Sequence, residues 1–310
     1  MRRFKHVLIA GALLFGAGAG GAAEAADRLK VAATLPAFGD LVGTVGGEFV
    51  DVYTVASPRF NPHFIEPKPS DVRRVKGATL LVHAGLDLEA WRGPLLDAAG
   101  NRRLFPGGEG ELDLSRGIAL LEVPDRPLSR AEGDIHLYGN PHYWTDPENA
   151  RAMAQAICDK LCALDPAHEQ AYHANLTLFL DRLNTKIPEW RAMLAPYKGR
   201  EIIGYHKEWP YLMRFAGLVM EQFLEPKPGI PPTPKQLEIL ERHIRERGVR
   251  VIAQSTYNPP EAGASLAKRT GARVVLLCQN VRELPQCGDY ISTVDYNVSQ
   301  LVQALGGGSS

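Results

Sequence analysis

The stretch that decides the fold reads VRVIAQSTYNPPEAGASLAKRTGARVVLLC and spans residues 249–278. It contains two short apolar runs, Val249–Gln254 and Arg273–Cys278, which are typical of buried strands. Between them, Asn258 followed by Pro259-Pro260 marks a helix start, because Asn caps helices and Pro fits the first helical position. Apolar strands that alternate with helices predict a parallel sheet covered on both faces.

The same alternation extends along most of the chain, so the predicted fold class is α/β. Between Pro166 and Leu194 only Pro188 interrupts a helical pattern. This segment predicts one long helix of about 40 Å that joins two lobes, with a kink or a break at Pro188. The other predicted strands are Leu29–Ala33, Val50–Val55, Thr79–His83, Ile118–Glu122, Glu201–Tyr205 and Leu218–Gln222.

The first 25 residues have the pattern of a cleavable signal peptide. Basic residues precede the apolar run Val7–Gly20, and Ala23-Glu24-Ala25 places cleavage after Ala25. The run is too short to span about 30 Å of hydrocarbon, and no cysteine follows that could carry a lipid anchor. We therefore expect a soluble periplasmic protein. The expected domains are an N-terminal lobe (26–165), a connecting helix (166–197), a C-terminal lobe (198–305) and a disordered tail (306–310).

Charge and cysteine content narrow the function further. The chain has 35 basic and 35 acidic residues, so it lacks the basic excess of a nucleic-acid-binding protein. Four cysteines in an exported chain suggest disulfides. Cys278 and Cys287 enclose a short loop, whereas Cys158 and Cys162 lie one helical turn apart, about 6 Å between Cα atoms. Zinc binding by Cys158 and Cys162 is the alternative, although no second ligand pair follows at zinc-finger spacing.

Three histidines occur in similar local settings. His63 lies in Asn61-Pro62-His63-Phe64, His142 lies in Asn140-Pro141-His142-Tyr143, and His206 directly follows a predicted strand. Ligands collect at the carboxyl ends of strands in α/β domains, so three imidazoles from both lobes could meet in the cleft and bind zinc. A histidine in such a loop more often caps or packs, and the residues alone leave both interpretations open.

Four ordered motifs extend these settings over nearly the whole mature chain: NPHFIEPKPSD (61–71), GNPHYWTDPENA (139–150), YH with WPYL (205–212), and GDY with YN (288–297). They resemble the ligand motifs of the metal-specific solute-binding proteins of ABC transporters, the ZnuA, TroA and PsaA group. The resemblance implies two α/β lobes joined by a long helix and no enzymatic activity. It implies His63, His142, His206 and Asp289 as the metal ligands.

The resemblance also implies the metal and the partners. Members with histidine at the third position resemble zinc binders, whereas members with glutamate there resemble manganese binders. This agrees with ligand chemistry, because imidazole suits zinc and carboxylate suits manganese. His206 therefore implies one Zn²⁺ per chain. The expected partner is an ABC transporter permease, with a periplasmic zinc metallochaperone as a further candidate and a monomeric state. Manganese binding within the same family is the alternative function.

Some features depart from the family pattern. The segment before the second motif holds a single histidine, His136, instead of a long histidine-rich loop, which resembles the AztC-like branch. His136 is either a helper in metal capture or a solvated loop residue. The fourth motif has short spacing, so Glu66, Asp134, Glu283 or a water are alternatives to Asp289. A zinc hydrolase is the rival class, but the chain has no HExxH motif, and an organic-solute binder is a second rival.

Overall fold

The computed structural model describes residues 28–126, 136–227 and 229–307. The predicted signal peptide lies outside the described residues, as does the end of the predicted tail. Within these ranges the helices are too short or too polar to cross a membrane.

The strands form two parallel four-stranded sheets. The first sheet has the order β2-β1-β3-β4 and the second has the order β6-β5-β7-β8. Their topologies match, since in each sheet the chain starts at an inner strand, moves to one edge and then crosses to the other side. The strands are β1 (Leu29–Ala33), β2 (Val50–Thr54), β3 (Leu80–His83), β4 (Glu111–Asp113), β5 (Glu201–Gly204), β6 (Val219–Phe223), β7 (Val251–Ser255) and β8 (Arg273–Leu277).

Helices cover both sheets, which confirms the predicted two-lobed α/β class. Proline stands in the first turn of several of them, where its missing N–H costs no hydrogen bond. The helices are α1 (Pro36–Gly46), α2 (Pro69–Lys76), α3 (Arg92–Ala99), α4 (Asn149–Leu164), α5 (Glu169–Leu194), α6 (Pro210–Ala216), α7 (Pro234–Arg247), α8 (Pro260–Thr270) and α9 (Tyr290–Gly306).

The predicted strand Ile118–Glu122 is wrong. The fourth strand of the first sheet is β4, which precedes the predicted segment in the chain and pairs with β3. The backbone of Leu121 instead donates to the Tyr211 hydroxyl at 3.0 Å and accepts from the Asn140 amide at 2.8 Å. These bonds hold the segment against α6 of the other lobe, so it is not free to pair in a sheet.

Helix α5 is the predicted long connecting helix, and it runs through Pro188 without a break. Pro188 is tolerated because it lies on the exposed face, where water can reach the carbonyl group that loses its helical partner. The opposite face packs against α1 and α4 on one side and against α6 and α9 on the other. Its buried stripe repeats every three or four residues: Tyr172, Leu176, Phe179, Leu183, Ile187, Trp190 and Leu194.

The two lobes share one hydrophobic core and direct hydrogen bonds. Trp144 Nε1 donates to the Gln279 carbonyl at 2.8 Å, and the Tyr290 hydroxyl donates to the Trp144 carbonyl at 2.7 Å. Asp146 accepts from Arg214 at 2.8 Å. The loops that carry the candidate ligands are therefore fixed to each other across the cleft.

The predicted disulfides are absent, and all four cysteines are free thiols. The Sγ atoms of Cys158 and Cys162 lie 4.0 Å apart, about twice the length of a disulfide bond. Both residues sit in the regular helix α4, where side chains one turn apart run side by side and do not converge. Cys278 and Cys287 are both buried, one at the start and the other near the end of the segment that joins β8 to α9.

Candidate metal centre

The repeated Asn-Pro-His setting forms the same turn twice. The Asn61 side chain accepts from the His63 amide at 3.0 Å, and the Asn140 side chain accepts from the His142 amide at 3.0 Å. This is the Asx turn that asparagine favours two residues ahead of a donor. It directs the two histidine side chains from the loop after β2 and the loop before α4 into the cleft.

His206 comes from the second lobe, two residues after β5 ends. Its Nδ1 atom lies 2.7 Å from a carboxylate oxygen of Glu225, which follows the neighbouring strand β6. Such a carboxylate fixes the tautomer of the ring, so that Nε2 is the atom left to bind a metal. The side-chain amide of Asn140 donates to the Lys207 carbonyl at 2.9 Å and ties this loop to the His142 loop.

Four histidines, not three, meet at this point: His63, His136, His142 and His206. The ring centroids of all pairs are separated by between 5.2 Å and 6.1 Å. Four points with nearly equal mutual distances form a tetrahedron. Imidazoles bound to one zinc at about 2.1 Å would place their centroids about 5.2 Å apart, so the cluster is close to zinc-ligand geometry.

The donor atoms also have the spacing of metal ligands. The Nε2 atoms of His63 and His142 are 3.2 Å apart, and two nitrogens of a tetrahedral zinc site are about 3.4 Å apart. Within the described residues, Nε2 of His136 is buried without a hydrogen-bond partner. A buried nitrogen without a partner costs free energy in a metal-free site, and a bound cation would satisfy it.

The electrostatics of the cluster favour neutral rings. Burial, together with repulsion from the nearby His206 and Lys207, lowers the pKa of His136 to about 3. Burial also holds the pKa of His142 well below its usual value, with repulsion from the other three rings in the same direction. Neutral imidazoles are the form that binds metals, so at neutral pH these two rings need not lose a proton first.

Comparison with known proteins identifies the family of the chain. The family described as "Zinc-uptake complex component A periplasmic" matches residues 31–304. This chain belongs to that family. It is therefore a metal-binding substrate-binding protein of the ABC transporter group, and the prediction that it is not an enzyme is confirmed.

Relatives in the family are named for different metals. The manganese ABC transporter lipoprotein PsaA of Streptococcus mitis is 23% identical over 292 residues, with 91% of each chain covered. The iron-binding protein YfeA of Yersinia pestis is 24% identical, with 91% of this chain and 88% of YfeA covered. A crystal structure of ZnuA matches with a TM-score of 0.76 and 25% identity, covering 90% of this chain and all of that one.

The structure places Asp289 outside the four-histidine cluster. Asp289 is the N-terminal cap of α9, where its Oδ1 accepts from the Ser292 amide at 2.7 Å. Its Oδ2 accepts from Arg182 at 3.2 Å on the surface. Burial raises the pKa of this carboxyl, but the hydrogen bonds with Ser292 and Arg182 outweigh burial and hold it below its usual value, so the carboxylate is already stabilised without a metal.

His136 occupies the fourth corner instead, and sequence reasoning did not single it out as a ligand. Its ring stacks on His63 with an interplanar angle of 11°. The sequence signal that could have identified His136 as a ligand is its position just before the second motif, six residues ahead of His142. Among the alternative carboxylates, Glu66 is exposed, Asp134 lies outside the described residues, and Glu283 is buried away from the four rings.

Glu283 has a structural role that its environment explains. One oxygen accepts from the Thr256 hydroxyl at 2.8 Å and the other from the Asn280 amide at 2.7 Å. Burial raises the pKa of this carboxyl to about 8, because the two hydrogen bonds offset only part of the cost of burying the charge and Glu208 adds repulsion. The folded protein therefore keeps a proton on Glu283 at neutral pH.

We expect Glu283→Gln to reduce the loss of stability with rising pH. Between about pH 4.5 and pH 8 the unfolded carboxyl loses its proton while the folded one keeps it, so the free energy of unfolding falls, by up to about 5 kcal/mol. The glutamine side chain does not ionise, so this contribution to the pH dependence is lost in the variant. Urea unfolding of metal-free protein across this range measures the effect, and the exposed Glu238→Gln serves as control. The same pH slope in wild type and Glu283→Gln would contradict the prediction.

Proposed function

We propose that this chain binds one Zn²⁺ ion in the periplasm through His63, His136, His142 and His206 and delivers it to the permease of an ABC transporter. The observation that carries the proposal is the near-tetrahedral arrangement of four buried or half-buried imidazoles. Four protein ligands complete the coordination of zinc and leave no position for an activated water. This argues against the zinc hydrolase as the alternative.

The ligand chemistry favours zinc over manganese and iron. Manganese prefers oxygen ligands such as carboxylates and water, whereas imidazole suits zinc, and affinity for nitrogen sites rises from Mn²⁺ to Zn²⁺. In the described residues the group of four contains only nitrogen donors. The proposal thus departs from the metals in the names of PsaA and YfeA and agrees with the family description.

The centre is separate from a groove on the N-terminal lobe. That groove has a volume of about 1240 Å³ and is lined by Tyr53, Phe60, Phe64 and Arg282 among others, but by none of the four histidines. His136 is the most exposed of the four ligands. We infer that ions, or a metallochaperone that carries them, reach the centre from the side of the His136 loop, and that the chain acts as a monomer.

A competition titration tests the proposal. Metal-free protein is titrated with Zn²⁺ and with Mn²⁺ against a chromophoric chelator, and the melting temperature is followed in parallel. We expect the first equivalent of zinc to bind at least about 1000-fold more tightly than manganese and to raise the melting temperature, because zinc binds only the folded site. Equal or tighter binding of manganese would contradict the choice of metal.

A further inference from the structure

A second group of metal-ligating side chains lies at the hairpin between α4 and α5, outside the four-histidine centre. Cys158 and Cys162 are one turn apart near the end of α4, and Glu169 and His173 are one turn apart at the start of α5. The turn at Pro166–His168 reverses the chain, so the two pairs face each other across the hairpin. Each pair presents its side chains on one helix face, because residues four apart lie one above the other.

The two thiols and the imidazole lie close enough together to bind one ion. The two Sγ atoms are 4.0 Å apart, Nδ1 of His173 lies 3.5 Å from Cys158 Sγ, and Nε2 of the same ring lies 3.8 Å from Cys162 Sγ. With one nitrogen taken from the ring, the three ligand atoms all lie within 4.8 Å of one another. Zinc bound to two thiolates and one imidazole has S–S separations of about 3.8 Å and S–N separations of about 3.6 Å. A carboxylate oxygen of Glu169 lies 3.6 Å from His173 Nε2. Glu169 lies outside the group of three whose ligand atoms are all within 4.8 Å of one another, so its exposed side chain must rotate to supply the fourth ligand.

The burial of the four side chains is graded from inside to outside. Cys158 is fully buried, Cys162 is partly buried, and the side chains of His173 and Glu169 are 52% and 58% exposed. An ion can therefore approach from solvent through His173 and Glu169 and reach the thiols behind them. Burial and the neighbouring Cys162 raise the pKa of Cys158 to about 12 in the metal-free protein, so metal binding must displace a proton from this thiol.

We propose that Cys158, Cys162, His173 and Glu169 form a second Zn²⁺ site on the α4–α5 hairpin. The ion bonds to two thiolate sulfurs, one imidazole nitrogen and one carboxylate oxygen, and both thiol protons pass to solvent. Two thiolates and an imidazole in tetrahedral geometry favour zinc, whereas manganese prefers sites that are rich in oxygen ligands. The site shares no residue with the four-histidine centre and does not depend on it.

Cadmium is the probe, because a cadmium–thiolate bond gives an ultraviolet charge-transfer band that histidine ligands do not give. The full chain is reduced, stripped of metal and titrated with Cd²⁺. We expect one equivalent of Cd²⁺ to produce the band, zinc to remove it by competition, and about two protons to be released per ion. The band should be lost in Cys158→Ser and in the less buried Cys162→Ser, and the affinity should fall at least about 10-fold in His173→Ala.

Two variants separate this site from the other thiols and from the other metal centre. Cys287→Ala and His142→Ala should each keep the full cadmium band. Absence of the band in the reduced wild type, or its persistence in a Cys158→Ser/Cys162→Ser double variant with a native circular dichroism spectrum, would overturn the proposal. A Cys158–Cys162 disulfide in protein isolated from the periplasm in the presence of zinc would overturn it as well.

Discussion

Replacing His142 by alanine is expected to weaken zinc binding by at least about 100-fold. His142 is completely buried, and its Nε2 lies 3.2 Å from Nε2 of His63 in the centre of the cluster. Zinc bound to a full set of protein ligands is stabilised by about 10–16 kcal/mol, so one of four ligands contributes about 3 kcal/mol, which corresponds to about 100-fold. Water cannot replace this imidazole easily, because the surrounding loops exclude solvent.

Chelator competition in the Cys158→Ser/Cys162→Ser background measures the change at the four-histidine centre alone, with His243→Ala as the matched control. His243 lies on α7 and contacts Glu201. It does not belong to the four-histidine cluster. We expect wild-type zinc affinity in this control. Because His142 is buried, the metal-free melting temperature of His142→Ala is needed to show that the variant folds, and His142→Gln provides a second variant of closer volume. Wild-type affinity in folded His142→Ala would remove His142 from the site.

The sequence predicted most of the fold because each element carries a local signal. The apolar strands around Asn258 and the long periodic stripe of α5 read directly from residue spacing. The exception at Ile118–Glu122 shows the limit, since that segment is as apolar as a strand. Its position depends on hydrogen bonds to Tyr211 and Asn140 from distant parts of the chain, and no local pattern records such contacts.

The sequence predicts the candidate site only where the structure around a ligand is local. The Asn-Pro-His turns of His63 and His142 are local structures, so the sequence records them. The ring of His136 contacts the rings of His63, His142 and His206, which come from distant parts of the chain or from beyond an irregular turn. Its position is a consequence of the assembled cleft, and neither helical nor strand periodicity can predict it.

Asp289 shows how one residue can fit two patterns. Its Gly-Asp-Tyr segment resembles a family ligand motif, but an Asp directly before an apolar helical run is also the typical N-terminal cap. The structure has the capping box, with Asp289 and Ser292 bonded to each other's backbone amides. A carboxylate that accepts from Ser292 and Arg182 would have to give up these bonds to reach a metal.

We therefore expect His136→Ala to change the zinc affinity and Asp289→Ala to change only the folding stability. His136→Ala should weaken zinc binding by about 10- to 100-fold, less than His142→Ala, because a water can enter at this more exposed corner. Asp289→Ala should leave the zinc affinity unchanged and lower the free energy of unfolding by about 1 kcal/mol, the usual cost of losing a helix cap. Each variant serves as the control for the other.

X-ray absorption at the zinc edge decides between the two residues directly, because it counts imidazole ligands. Zinc in the four-histidine centre should show four imidazoles in wild type and in Asp289→Ala, and three imidazoles with one oxygen in His136→Ala. The measurement uses the Cys158→Ser/Cys162→Ser background with one equivalent of zinc, so that no sulfur ligand contributes. Three imidazoles and a carboxylate in wild type, with zinc affinity lost in Asp289→Ala, would mean that metal binding pulls Asp289 from its cap and restores the ligand set that the family resemblance implies.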